Sequence, residues 1–497
     1  MSTASPATTS PTDPVPASPS APLAGRVVGV YGSGGAPWHH LALVAARGAE
    51  VRVVRAEDVL AGRLTDLDAL IMPGGGAVAM AGLLTPLGVA GAKRIRQWVE
   101  AGGSYVASCA GSVLPLTLTG AADDANPLAR HMRMVNVPLA NSGDATLGGL
   151  ASPGVGRIRV RLAADRASAA ALPEEVELVH YNGPLFATGA PGHESVRPFA
   201  WPVGATPAFT PAERYLAQGP GPVPVPVTTL QRCIDQGAAT ALEADVGTGR
   251  AVLFGSHPEF GLGALLLGWS HGADLLTAAL ASVPPRTSRA VTSAVGEPGW
   301  RVEREQQHSS PADMARETAP SLRRLAERFE HLGSSEVSDR ADAWLAPDMA
   351  ATFHGVTAAT AWRRDTAAAA RAASCAASQL LRLEPLLDEH DVAWLDDAQR
   401  PDQDFGYMGL TQLVAQVHAM LDAAEQALLR EPRQPRHAYD LFDSHPFHLA
   451  VGSYLSAAGL TAGALLVSCL LAFRHGATTA TSEALLWTSS RQGAADY

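Results

Sequence analysis

The chain has 497 residues, of which 47% are hydrophobic and 17% are charged. This balance excludes a wholly disordered protein and provides for about two to four domains with real cores. The net charge of −11 argues against a general nucleic-acid binder. Basic residues are nearly all arginine, with Lys93 the only lysine, so we interpret the high alanine content as compositional bias rather than as evidence for helix.

The first 24 residues are mostly Ser, Thr, Pro and Ala. They lack a basic start and an apolar stretch, so we expect a disordered tail and not a signal peptide. Residues 448–473 carry no formal charge and are long enough to cross a membrane. Because serines and alanines dilute this stretch, we favour a buried helix over a membrane anchor. We therefore predict a cytoplasmic protein.

Short apolar segments alternate with helical segments through the first part of the chain. Strands are predicted at 26–31, 50–54, 69–72 and 104–108, and helices at 38–47 and 92–101. This alternation indicates an α/β domain, with an open, mostly parallel sheet flanked by helices. Further strands are predicted at 155–162, 177–180, 239–245 and 250–255, with an irregular Pro/Gly-rich excursion over 186–228 and a closing helix over 264–281.

We place this α/β domain at residues 25–285, and a second region follows it. Residues 286–311 are rich in proline and polar side chains and are predicted to be a linker. From 312 to 497 amphipathic segments without strand alternation predict an all-α helical bundle. Its helices are expected at 314–332, 338–351, 356–385, 408–430 and 446–473, with a core that includes Leu322, Leu325, Phe329, Trp344, Trp394, Leu410 and Leu413.

Cys109 is the most informative residue. It directly follows the predicted strand 104–108 and is followed by small residues, Ala110 and Gly111. A nucleophile on such a strand-to-helix turn is exposed above the sheet edge, beside helix amides that favour a thiolate and stabilise an oxyanion. The alternative is a buried structural cysteine. The four cysteines, Cys109, Cys233, Cys375 and Cys469, show no disulfide or zinc spacing.

A histidine and a carboxylate follow another strand. His257 and Glu259 come directly after the strand at 250–255, and in an open α/β sheet that is the edge on which Cys109 lies. A cysteine nucleophile needs a base and a group that orients the base. Cys109, His257 and Glu259 supply these three types, although a His-Pro-Glu sequence taken alone is most often a turn.

Several motifs of residues 25–285 occur together: a strand and glycine loop, a Pro-Gly-Gly-Gly turn, a cysteine elbow, a His-Tyr-Asn-Gly-Pro segment and a terminal His-Pro-Glu, located at 31–35, 73–76, 108–111, 180–184 and 249–259. With these motifs the region resembles a class I glutamine amidotransferase-like domain, which has a flavodoxin-like fold. Within that superfamily it is most similar to the amidotransferase-like domain at the N-terminus of some biotin protein ligases.

The resemblance implies a role for each matching residue. Cys109 would be the nucleophile, His257 the base and Glu259 its orienter. Backbone amides near Gly75 and at Ala110 would form the oxyanion hole, and the remaining oxyanion or substrate-binding positions would be Gly32, Gly76, Tyr181 and Asn182. Cys109 is followed by Ala-Gly-Ser-Val and not by Gly-His-Gln, so the predicted substrate is an amide or related carbonyl of a small molecule, with glutamine left open.

The alternative is a protein that catalyses no reaction. In it the amidotransferase-like domain is a degenerate metabolite-binding module, and the helical domain engages a protein partner or a second copy of the chain. We predict no cofactor and no metal. Histidines and aspartates at 437–448, and also His354 and His418, have metal-ligand chemistry, but surface polar residues are the favoured interpretation. His39 and His40 follow the glycine loop and are expected to be solvated or capping, with substrate contact as the alternative.

Overall fold

The computed structural model describes twelve continuous ranges and a few isolated positions between 336 and 378. The ranges are 22–75, 79–118, 127–142, 154–181, 183–188, 195–211, 229–259, 271–284, 310–334, 380–387, 392–396 and 406–428. Several predictions therefore lie outside the described residues. They concern residues 1–21 of the tail predicted over 1–24, residues 286–309 of the linker predicted over 286–311, the helices predicted at 338–351 and 446–473, and the positions Gly76, Asn182, Trp344, His354, Cys375, Cys469 and 437–448.

Nine strands of the described residues form one sheet, in the order β2-β1-β3-β4-β9-β8-β7-β5-β6. Their bounds are Val27–Tyr31 (β1), Glu50–Val54 (β2), Ala69–Met72 (β3), Ser104–Ser108 (β4), Gly154–Leu162 (β5), Glu175–Tyr181 (β6), Val196–Pro211 (β7), Ala241–Val246 (β8) and Gly249–Phe254 (β9). From β2 to β9 the neighbouring strands are parallel. From β9 to β6 they are antiparallel, so the predicted parallel sheet is one half of a mixed sheet.

Helices cover both faces of the parallel half. In the first 284 residues the described α-helices are Trp38–Ala46 (α1), Ala56–Leu60 (α2), Ala79–Glu100 (α3), Ala110–Val113 (α4), Ala164–Ala169 (α5), Thr229–Asp235 (α6) and His271–Ala281 (α7). Alternate residues of each strand enter two different hydrophobic clusters, as the two-residue period of a strand requires. In β3, for example, Ile71 packs with α1 and α7, whereas Leu70 packs with α2 and α3.

Several predicted bounds change in the structure. The helix predicted at 92–101 begins at Ala79 and is interrupted by a non-helical Gly88. The closing helix is described from His271, and residues 264–270 lie outside the description. The excursion predicted over 186–228 contains β7, the longest of the described strands. The prolines of β7 indicate a loop in the sequence, so this strand was not predicted. In the structure they are accommodated at irregular positions where the register with β5 or β8 shifts.

The antiparallel half curls back toward the parallel half. Val179 of β6, the last strand of the sheet, pairs with His257, which lies just beyond β9. The His257 amide donates to the Val179 carbonyl over 2.8 Å. Since β8, β7 and β5 stand between β9 and β6 in the sheet, this contact closes the antiparallel strands on themselves. The closure brings the end of β6 to the segment that carries His257 and Glu259.

The described part of residues 312–497 is helical. It includes α8 (Pro311–Leu332), α9 (Val392–Leu395) and α10 (Leu410–Leu428). Ser310 and Asp313 form a reciprocal capping box, which starts α8 at the last residue of the predicted linker. Leucines and Phe329 of α8 face α10, and the predicted core residues that are described with their side chains are buried, namely Leu322, Leu325, Phe329, Leu410 and Leu413. The complete bundle remains a prediction.

Polar contacts join α8 to α10 along their shared face. Thr318 bonds Thr411, and Arg328 pairs with Asp422, so the two helices run in the same direction. Among the helices of the described ranges, none combines the length and the apolar composition that a membrane span requires. The segment 448–473, for which this question was raised, lies outside those ranges.

Candidate active site

Cys109 occupies a strained turn between β4 and α4. Its backbone has φ 47° and ψ −120°, a region that costs a residue with a side chain about 1–3 kcal/mol. The Cys109 amide donates to the Phe254 carbonyl of β9 over 2.8 Å, and the Ser112 amide and hydroxyl donate to the Cys109 carbonyl. These bonds hold the turn in place. The side chain of Cys109 remains partly exposed, as a nucleophile at a strand-to-helix turn requires.

Gly111 allows this turn to lie against the end of β3. A Cβ atom at Gly111 would stand 2.5 Å from the carbonyl oxygens of both Met72 and Pro73, which is too close for any other residue. Gly74 is similarly constrained, since its Cβ would lie 2.8 Å from His257 Cε1 and 3.4 Å from Cys109 Cβ. The Pro-Gly-Gly turn after β3 therefore lies directly beside the cysteine and the histidine.

His257 joins Cys109 to Glu259. Its Nδ1 donates to Glu259 Oε1 over 2.8 Å, and the imidazole also makes a hydrogen bond with the Cys109 sulfur. With Nδ1 engaged by the carboxylate, Nε2 is the ring nitrogen left for the sulfur. The structure thus brings together the three residues that the sequence singled out from distant positions.

The ionisation of this group is set by burial and by charge acting in opposite directions. Burial alone would lower the pKa of His257, but the Cys109 sulfur and the Glu259 carboxylate raise it to about 10. Burial alone would raise the pKa of Glu259, but His40, His257 and the hydrogen bonds hold it at about 2. At neutral pH the site therefore favours an imidazolium between an ionised carboxylate and the sulfur.

Two further side chains surround the Glu259 carboxylate. The Ser108 hydroxyl donates to Glu259 Oε1 over 3.1 Å. His40 Nε2 lies 3.1 Å from Ser108 Oγ and 3.4 Å from Glu259 Oε2. His40 is buried, and so is His39, which corrects the expectation that these histidines are solvated. The signal available in the sequence was that His40 follows β1 at the same sheet edge as Cys109.

His180 lies at the base of the site. It is completely buried, its Nδ1 is 3.4 Å from Ser256 Oγ, and Ser256 in turn bonds Thr240. Burial, reinforced by the positive charge of His257, lowers the pKa of His180 to about 3, so this ring is neutral. His180 therefore adds no second charge beside His257.

The segment after His180 packs tightly against β9. A Cβ at Gly183 would lie 1.8 Å from the Gly255 carbonyl oxygen, and one at Gly255 would lie 1.9 Å from the Pro184 oxygen. Asn141 holds the same segment, because its amide donates to the Gly183 carbonyl and accepts from the Leu185 amide. This back-to-back glycine contact fixes Gly183 and Pro184 against Gly255, directly before Ser256 and His257.

The remaining predicted site residues differ in their surroundings. Ala110 is the first residue of α4, so its amide has no carbonyl partner within that helix. Gly75 is partly buried and adjoins Gly74. Tyr181 ends β6, and Gly76 and Asn182 lie outside the described residues. Ala110 and Gly75 therefore lie beside the Cys109 turn.

Gly32 is engaged by other parts of the protein. Its amide donates to the Val54 carbonyl, and its own carbonyl accepts from the Tyr407 amide and from Arg55. The Gly406 amide likewise donates to the Gly35 carbonyl, and Arg55 stacks over the Tyr407 ring. The glycine loop is thus the docking point for the segment that precedes α10, and we leave Gly32 out of the proposed substrate site.

Metal ligands are not grouped in the part of the chain that the structure describes, where no set of three or more His, Cys, Asp or Glu side chains is suited to hold an ion. His418 illustrates this. Its Nδ1 accepts from Arg328, and its Nε2 donates to the Ser321 carbonyl. The ring is therefore a structural link between α8 and α10.

Comparisons with known proteins give similarity to solved structures only. No protein-family model matches the chain, and no curated protein matches it. It is similar to a protein from Thermoplasma acidophilum assigned as part of a GMP synthase, with 11% identity, a TM-score of 0.30 and coverage of 52% of this chain and 94% of that one. It is also similar to a cytoplasmic protein from Salmonella typhimurium, with 10% identity, a TM-score of 0.30 and coverage of 51% and 97%.

A third match is an exo-β-1,4-mannosidase from Opitutaceae bacterium strain TAV5, with 14% identity, a TM-score of 0.24 and coverage of 52% of this chain and 36% of that one. At these TM-scores the similarities assign no function. None of the three is described as a biotin protein ligase, so that resemblance stays a prediction.

Proposed function

We propose that residues 25–285 form a cysteine-dependent hydrolase or amidotransferase acting on an amide or related carbonyl of a small molecule. The observation that carries the proposal is the chain of hydrogen bonds from the Cys109 sulfur through His257 to Glu259. Its sulfur end is partly exposed, whereas its carboxylate end is buried. A cysteine nucleophile needs this difference in exposure, because the reacting sulfur must be open to substrate and the orienting carboxylate must be shielded from water.

The chemistry follows from the ionisation of the group. The Cys109 thiolate attacks the carbonyl carbon, and a C–S bond forms as the carbonyl oxygen becomes an oxyanion. His257, held as an imidazolium, gives its proton to the leaving nitrogen, and the C–N bond breaks. Water or another acceptor then attacks the thioester carbonyl and gives its proton to His257. The C–S bond breaks, the acyl product leaves, and the thiolate–imidazolium pair is restored.

The developing oxyanion needs hydrogen-bond donors beside Cys109. The amides of Ala110 and Gly75 are the proposed donors, because one begins α4 and the other follows Gly74. The α4 helix adds little field of its own, since it has only four residues. The donors therefore act as individual backbone N–H groups.

Alkylation by iodoacetamide, mapped by mass spectrometry, tests the proposal without knowledge of the substrate. Cys233 is an internal control, because it is completely buried and burial raises its pKa to about 11. We expect Cys109 to be labelled at pH 7 in preference to Cys233, and the His257→Gln variant to be labelled about 10- to 100-fold more slowly at Cys109. The Cys233→Ser variant should keep the wild-type rate at Cys109.

An electrophilic glutamine analogue then addresses the substrate class. Its preferential reaction with Cys109 would identify a glutamine-like acyl group as the substrate, and the Cys109→Ala variant should lose both labels and all turnover. Equal labelling of Cys109 and Cys233, or a His257→Gln variant that reacts at the wild-type rate, would contradict the proposal. Either result would favour the non-enzymatic, metabolite-binding alternative.

A further inference from the structure

We infer that His40 is a positioning residue of this site, acting with Ser108 to hold the Glu259 carboxylate that orients His257. This inference rests on the proposed function, since it gives a task to a residue outside the Cys109–His257–Glu259 group. It is carried by geometry, because two polar groups from different elements converge on one buried carboxylate. Ser108 ends β4, and His40 lies in the first turn of α1.

The hydrogen bonds form a directed chain. The Ser108 hydroxyl donates to Glu259 Oε1, so its oxygen is free to accept. His40 Nε2 lies 3.1 Å from that oxygen, and a proton on Nε2 completes the chain. The same Nε2 is 3.4 Å from Glu259 Oε2. Ser108 therefore donates directly to the carboxylate, and His40 supports it through that hydroxyl while its ring lies beside Oε2.

Burial makes this support necessary. The side chains of both His40 and Glu259 are 1% exposed, so water cannot replace a lost donor. A buried carboxylate without donors either takes up a proton or turns toward another partner. In both cases Nδ1 of His257 loses its acceptor. His40 and Ser108 therefore keep Glu259 ionised and fixed in orientation.

Sequence position accounts for the convergence. Ser108 immediately precedes Cys109, so the strained turn that exposes the sulfur leaves the preceding hydroxyl buried beneath it. His40 follows the glycine loop, whose Ala36 amide donates to the Gly74 carbonyl over 3.1 Å. The loop that adjoins the cysteine turn thus also places the start of α1, and with it His40, behind Glu259.

The pH profile of Cys109 alkylation by iodoacetamide, measured on the full chain, distinguishes positioning from general stability. In the His40→Phe variant the Ser108 hydroxyl loses the partner that orients it, so the Glu259 carboxylate is held less firmly and is protonated at higher pH. We therefore expect the acid limb of the profile to move up by about one pH unit, which is about tenfold slower alkylation at pH values on that limb. At pH 8 the rate should stay within about twofold of the wild type.

A conservative substitution at His40 should restore the pH profile of Cys109 alkylation. The side-chain amide of glutamine reaches the position of a histidine Nε2, so His40→Gln should restore the wild-type acid limb. His39→Gln is the matched control, because it replaces the neighbouring buried histidine, and it should leave the limb in place. Ser108→Ala removes only a hydroxyl and should move the limb in the same direction as His40→Phe, which provides the test if His40→Phe does not fold.

The outcomes separate this inference from the proposed function. If His257→Gln slows alkylation but His40→Phe and Ser108→Ala keep the wild-type acid limb, the positioning role is wrong and the proposed function stands. If His257→Gln itself reacts at the wild-type rate, the proposed function fails and the inference fails with it. A limb that moves equally in His39→Gln and His40→Phe would also overturn the inference, because a general loss of packing would then explain it.

Discussion

The two halves of the sheet contribute to the site in different ways. The parallel half presents Cys109 through local geometry, because the turn after β4 follows from a strand, a strained residue and a glycine that packs on β3. The antiparallel half contributes through long-range closure, because β6 must curl back to hold the backbone of His257. A nucleophile can thus be placed by a few consecutive residues, whereas its base depends on the whole sheet.

Cys109 and His257 also differ in the contacts that hold them. The Cys109 turn is held by neighbours in the parallel ladder, such as the Phe254 carbonyl. His257 is held by Val179 and follows Gly255, which packs on the Gly183–Pro184 segment. Between β4 and β9 the chain makes an excursion of more than a hundred residues. We therefore expect the base to be easier to displace than the nucleophile.

The largest expected effect comes from breaking the closure with Gly183→Ala. The new methyl group would lie 1.8 Å from the Gly255 carbonyl oxygen, so β9 and the segment after β6 must separate. We expect a loss of about 3 kcal/mol in the free energy of unfolding, measured with urea. Alkylation of Cys109 at pH 7 should also slow, because His257 is displaced while the Cys109 turn stays in place.

The control for this variant is Gly237→Ala. Gly237 has a φ of 68° and nothing within 4 Å of its would-be Cβ, so the substitution costs only backbone strain, about 1–2 kcal/mol. Alkylation should keep the wild-type rate in this control. If Gly183→Ala is as stable and as reactive as Gly237→Ala, closure of the antiparallel half is not what places His257.

An intermediate effect is expected from Glu259→Gln as the pH is lowered. The folded-state pKa of Glu259 is about 2, below its ordinary value of 4.5. The ionised carboxylate therefore stabilises the fold above about pH 4.5, and this contribution is lost as the pH falls toward 2. The glutamine variant lacks it, so its unfolding free energy should fall less steeply over that range in urea titrations.

The exposed Glu174 provides the matched control for the acid titration. Glu174→Gln should reproduce the slope of the wild-type protein below pH 4.5. A Glu259→Gln variant with the same acid slope as the wild type would mean that the carboxylate is not held by donors in the folded state.

The smallest effect is expected on the outer surface of the antiparallel half. Arg197 donates to Asp245 over 2.7 and 2.9 Å and to Glu243 over 2.8 Å, and its side chain is 49% exposed. We expect Arg197→Gln to cost about 0.5 kcal/mol, less at about 1 M salt, because its pair with Asp245 is exposed and screened and Arg166 still pairs with the buried Glu243. Unfolding at low and high salt measures this. A loss above about 2 kcal/mol would show that the network supports the closure itself.

Much of the parallel half could be predicted from the sequence. Apolar segments between glycine-rich turns located β1, β2, β3 and β4 to within one residue. Strands β1, β3 and β4 are buried along their whole length and therefore need a largely apolar sequence, whereas the edge strand β2 is only partly buried. The turn at Cys109 was predicted for a similar reason, since a strand followed by a small-residue helix start is a local pattern. The amphipathic helices α8 and α10 were also visible from their spacing.

Other features could not be predicted, because they depend on residues far apart in the chain. The prolines of β7 indicate a loop, and only pairing with β5 and β8 makes that segment a strand. The position of His40 after β1 indicates only the sheet edge on which it lies, and not its contact with a carboxylate more than two hundred residues away. The docking of Tyr407 on Gly32 is likewise a contact between distant segments.

Side-chain type and local periodicity depend on consecutive residues, so the nucleophile, the base, the carboxylate and the strand ends that carry them can be recognised without coordinates. The return of β6 onto His257, and the positions of His40 and Ser108 beside Glu259, follow from the folded chain alone. Those contacts depend on how a nine-stranded sheet curls, and the curl is set by the packing of all its strands together.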